Sequence, residues 1–107
     1  MQIFDRPEGI HQLQYAGGGH PGCGGVMEAL EVETMQGPIF LLHEYRTESQ
    51  MYGERYRWRQ FEHGGDALAN FDKACWPGDG TGFTPWNDKP FWEAVDYNPP
   101  PPQKDAP

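Results

Sequence analysis

A chain of 107 residues has room for one hydrophobic core and not for two. Sixteen acids against eight bases give a net charge of −8, which opposes direct binding to nucleic acid or to an anionic membrane and favours a basic partner. Gly (14) and Pro (11) approach a disordered composition, but 14% aromatic residues argue instead for a loop-rich globule with an aromatic core.

The opening MQIFDRPEG places acid and proline where an export signal needs a basic stretch and then an apolar run. No segment approaches the roughly 18 apolar residues of a membrane span. Cys23 and Cys75 are too few for a disulfide scaffold. The expected compartment is the cytoplasm, with no membrane contact.

Residues 1–25 read as an irregular arm ending in GGGHPGCGG (17–25). A first strand is expected at about 28–35, with Leu30, Val32 and Thr34 on one face and Glu31 and Glu33 on the other. Its start, VMEAL, also contains good helix formers, so that turn is ambiguous. Gln36-Gly37-Pro38 makes a turn. Ile39-Phe40-Leu41-Leu42 is apolar on both faces, as in a central strand, and the strand continues to about 46.

A loop around Ser49–Gly53 leads into a third strand at about 54–61. There Tyr56 and Trp58 share one face, and Arg55, Arg57 and Arg59 share the other. A strand carrying three arginines is expected at an edge. After Gly64-Gly65, Asp66 is the expected N-cap of a helix over about 66–76 that ends at Trp76-Pro77. Its stripe of Ala67, Leu68, Phe71, Ala74 and Cys75 should face Tyr56 and Trp58. Residues 77–98 form an aromatic loop region, in which Asp88 and Pro90 open a short turn with Phe91, Trp92 and Val95. Residues 99–107 are a proline-rich tail. The expected fold is a single α+β domain, 1–98, built on a three-stranded antiparallel meander with one packed helix.

Four features bear on function. GGGHPGCGG lacks the Lys-Ser/Thr of a phosphate loop, and no strand clearly precedes it, so it reads as a connector. His20 and Cys23 have the spacing of half a zinc knuckle. The other candidate ligands are His11, His43, His63 and Cys75. They form no second knuckle, and His43 and Cys75 read as sheet and core positions, so no metal and no cofactor is expected. Cys23 as a nucleophile has nothing to orient His20 as its base, and no catalytic residue is assigned.

Arg55, Arg57 and Arg59, about 7 Å apart along one side of a strand, are an anion-binding candidate, with Tyr52 or Trp86 near enough to stack. The competing reading is cross-strand pairing with Glu44 or Glu48. Fifteen aromatics exceed what a small sheet hides. Trp86 and Trp92, among Asp79, Asp88, Glu93 and Asp96, are therefore the expected partner-binding surface.

No motif here matches a known family residue by residue. The expected function is a small acidic, non-enzymatic inhibitor or adaptor that occludes a basic, nucleic-acid-binding protein. It is similar in style to the anti-defence inhibitors of phages and mobile elements, including anti-CRISPR proteins, by analogy alone. The alternatives are a nucleic-acid or nucleotide binder acting through Arg55, Arg57 and Arg59, and a small metal-dependent enzyme.

Overall fold

Apolar runs, the first two parted by a turn at Gly37, fold 25–61 into an antiparallel meander. The computed structural model describes residues 6–17, 25–49, 53–75 and 80–99. Its strands are β1 (Ile10–Gly17), β2 (Gly25–Val32), β3 (Ile39–Ser49) and β4 (Gly53–Phe61), in that order across one sheet. Helix α1 (Gly64–Cys75) follows, and a single turn, α2 (Phe91–Ala94), lies in the C-terminal segment. The architecture is α+β as expected, with four strands rather than three.

The additional strand is β1, which sequence reasoning placed in an irregular arm. It pairs with β2 from Ile10↔Val32 to Gly17↔Val26, with a bulge between Gln12 and Gln14. Ile10 is its single buried residue. An edge strand that contributes so little to the core has no apolar alternation to reveal it. The ambiguous VMEAL is strand, because both of its faces are covered: Met27 and Ala29 lie on one side, Val26 and Leu30 on the other. The strand runs earlier than expected and stops at Val32, since Thr34 is taken up by the turn. The Thr34 hydroxyl donates to the Gly37 carbonyl, and Gly37 sits at φ 114°.

The sheet has two covered faces. On one, Met27, Ala29, Leu42 and Phe61 meet Ala67, Phe71 and Ala74 of α1. On the other, Val26, Leu30, Val32, Leu41, Tyr45, Tyr56 and Trp58 meet Phe91, flanked by Trp92 and Tyr97. This corrects the helix placement: α1 lies on the arginine face, not on the Tyr56/Trp58 face. The pairing register explains the difference. Phe40↔Phe61 and Leu42↔Arg59 put Leu42 and Phe61 on the same side as the arginines, and α1 seats on that apolar end.

The helix start also differs. The His63 carbonyl accepts from the amides of Asp66 (3.1 Å) and Ala67 (3.3 Å), so α1 begins before Asp66. Asp66 sits in the first turn, where the helix dipole favours an acid, rather than at the N-cap. The apolar stripe is narrower than the sequence implied, for Leu68 is 41% exposed. The expected stop at Trp76-Pro77 falls outside the described residues.

Strand β4 is the last of the four, yet it is not bare. Residues 84–87 run along its outer edge: Tyr56 and Asn87 exchange backbone hydrogen bonds at 2.7 Å each way, and the Thr84 amide donates to the Trp58 carbonyl at 2.9 Å. The Trp58 amide donates to the Thr84 hydroxyl at 3.2 Å. The arginine strand is therefore covered on both faces as well as along its edge.

Candidate binding surface and the polar clusters beneath it

The arginines lie in a stack of rings. Glu44, opposite Arg57 across the β3–β4 ladder, accepts from Arg57 Nε at 2.7 Å and from Arg46 Nε at 3.0 Å. The Arg57 guanidinium lies 4.4 Å from the Trp86 ring centre and 5.0 Å from that of Phe83. Arg59 packs on Phe61 at 4.5 Å and donates to the Thr81 carbonyl at 3.3 Å. Loop backbone presses directly on these groups. A Cβ at Gly80 would stand 2.7 Å from Arg57 Nη1, the movable end of that side chain, whereas one at Gly82 would stand 2.8 Å from Arg59 Nε in a backbone at φ 80°, so Gly82 is the position that requires glycine. Arg55 is half-buried at the far end of the row, opposite Arg46. Glu44 thus engages one arginine of the row, Arg57, across the ladder, and Arg46 within its own strand. Tyr52 and the Glu48 side chain lie outside what is described.

The opposite face hides a cluster that sequence reasoning did not single out. Glu28 of β2 and His43 of β3 are paired across the ladder and are 1% and 0% exposed. One Glu28 oxygen accepts from Arg6 Nη1 and from Gln12 Nε2, each at 2.7 Å. The other lies 3.3 Å from His43 Nδ1. On the far side of the ring, the Phe91 amide donates to His43 Nε2 at 3.2 Å. An imidazole that accepts at Nε2 carries its proton at Nδ1, so His43 donates to Glu28. The ring stacks on Trp92 (5.0 Å) and Trp58 (6.1 Å). No buried side-chain polar atom among the described residues lacks a partner. The cluster therefore fastens the N-terminal segment, two central strands and α2 together through one carboxylate. The signal for it was present: Glu28 and His43 stand at core positions of stripes that also carry Leu30 and Leu41.

The expected partner surface divides. Trp86 stacks on the helix face, whereas Trp92 stacks on His43 across the sheet. Trp92 shares its segment with Asp88, Glu93 and Asp96, all three exposed. Asp79, His20 and Cys23 lie outside the described residues. No group of three His, Cys, Asp or Glu side chains that could hold a metal occurs among the described residues. Burial, with Asp72 and Glu44 nearby, pushes the Cys75 thiol up to about 11. It holds its proton at neutral pH.

Three bases, Arg6, Arg46 and Arg57, pair with only two acids, Glu28 and Glu44. The rest of the molecule is therefore more acidic than the total charge implies. Among the described residues the exposed bases are Lys73 and Lys89, while exposed acids run from Glu8 and Glu33 through Glu62, Asp66 and Asp72 to the C-terminal trio. No helix among the described residues is long and apolar enough to cross a membrane. No family model, no curated protein and no solved structure matches the chain.

Proposed function

We propose that this chain is a non-enzymatic binding protein whose acidic exterior meets a basic protein, as an inhibitor or adaptor covering the surface through which that partner holds nucleic acid. The observation that carries this reading is the internal use of the arginines. With Arg46 and Arg57 on Glu44, and Arg59 against Phe61 and Thr81, the row offers little to an outside anion. Among the described residues, the charge that remains fully exposed is mostly carboxylate. Segment 88–96 offers Asp88, Glu93 and Asp96 around the half-buried Trp92, an acidic rim beside an aromatic anchor. The absence of catalysis is likewise a proposal, supported by a Cys75 thiol that stays protonated and by a His43 engaged at both ring nitrogens.

The test is capture at low salt with the wild type and with the triple variant Asp88→Lys/Glu93→Lys/Asp96→Lys. The expected result is one basic protein held in stoichiometric amount by the wild type, released by salt and lost in the variant. Equal retention by the variant would remove segment 88–96 as the interface. If the wild type binds single-stranded oligonucleotides at low salt, and loses them on replacing Arg55, Arg57 and Arg59 by alanine, the anion-site reading replaces this one.

A further inference from the structure

We infer that β1 is a self-pairing edge, through which two copies of this chain join antiparallel into a continuous eight-stranded sheet. This goes beyond the proposed partner surface and does not depend on it. The two ends of the sheet are finished differently. Residues 84–87 close the β4 edge, whereas among the described residues no strand lies outside β1. Half of its backbone amides and carbonyls accordingly point away from β2. The covering layers barely reach it: α1 packs chiefly on β2, β3 and β4, and α2 on β4, while β1 adds only Ile10 to one core and the half-buried Ala16 to the other. Leu13 (41%) and Tyr15 (51%) stand exposed upon it.

Charge selects the occupant. In a molecule of −8, β1 is the strand without an acid: β2 carries Glu28 and Glu31, β3 carries Glu44 and Glu48, and β4 carries Glu54. It has no Lys or Arg either, and its His11 is already engaged by Glu33, so the strand offers little to attract an acidic or a basic peptide and no acid to repel its own copy. A two-fold axis between Leu13 and Gln14 sets Leu13 opposite Gln14, and Gln12 opposite Tyr15, of the second copy. The β2 acids of the two copies then stand three strand spacings apart, roughly 14 Å, beyond the screening length of about 8 Å in physiological salt. The bulge at Gln12/Gln14 twists the edge and discourages indiscriminate pairing. Closure of β4 on the other side ends the assembly at two copies rather than a fibre. One strand pair is a small interface, so half-association is expected at on the order of 10–100 μM.

Sedimentation equilibrium of the full chain over micromolar to millimolar concentration tests this. The weight-average mass should rise from 12.2 kDa towards twice that value and no further. Leu13→Glu/Tyr15→Glu should weaken association at least tenfold with an unchanged circular dichroism spectrum. Leu68→Glu, equally exposed but on α1, should leave it intact. Mixing Leu13→Glu with Leu13→Lys should restore a mixed dimer. A constant 12.2 kDa mass, growth past two copies, or association that survives the double variant would each overturn the proposal. Should the double variant misfold, hydrogen exchange of the wild type decides: β1 amide protection must rise with concentration, and constant protection refutes self-pairing.

Discussion

Glu28 gathers three donors, from Arg6, Gln12 and His43, onto one carboxylate inside the sheet. Removing it leaves the buried His43 and the largely covered Arg6 head without their acceptor, which is far costlier than never having placed them there. Glu28→Ala should lower the unfolding free energy by about 3–5 kcal/mol in urea titrations. Glu28→Gln, which keeps an acceptor oxygen, should lose visibly less. Arg57→Ala should cost about 1–3 kcal/mol, through both the Glu44 pair and the stack between Phe83 and Trp86. An arginine kept only for an outside anion would leave stability unchanged when replaced. Cys75 gives a pH dependence. Its thiol is raised from 9.0 to about 11, so across that interval the unfolded chain releases the proton while the folded chain retains it. Stability contributed by the protonated thiol is complete below pH 9.0 and declines as pH rises towards 11. Tyr97, raised by burial from 10.0, acts in the same direction. Unfolding measured at about pH 8 and about pH 10.5 should show a smaller alkaline loss in Cys75→Ala than in the wild type.

Among the elements, residues 84–87 do the work of a fifth strand without being one. Asn87→Pro removes the donor to the Tyr56 carbonyl, and proline has no amide to replace it. The Tyr56 and Trp58 amides, protected in the wild type, should then exchange at least tenfold faster. Phe91→Ala, which empties the 2%-exposed position against Trp58, should cost about 3–5 kcal/mol and release α2. β4 and α1 were readable from a clear period, of two in Tyr56 and Trp58 and near four in Ala67, Phe71 and Ala74. By contrast, β3 was readable as an apolar run between turn residues and β2 only in its second half, because both faces of each are covered. The sequence concealed β1, where Ile10 alone is buried. It also misdirected the helix. A strand face bearing three arginines reads as solvated, yet their stems and planar heads pack between Phe61, Phe83 and Trp86, and the apolar end beside them receives α1. The candidate acidic site was readable only in part: Asp88, Glu93, Asp96 and Trp92 share one segment, but the path of the loop carries Trp86 to the other face.

At the scale of the whole molecule, the pairs of Arg6, Arg46 and Arg57 draw positive charge inward and leave an acidic exterior. Such a surface speeds encounter with a basic partner and turns nucleic acid away. That reading is decided by competition. The captured basic protein, holding a labelled oligonucleotide at low salt, is titrated with this chain while fluorescence anisotropy is recorded. The account predicts that anisotropy falls to the value of unbound oligonucleotide at one equivalent, because the acidic face and the nucleic acid compete for one site. Anisotropy that rises, through a three-component complex or through oligonucleotide binding by this chain itself, would contradict it.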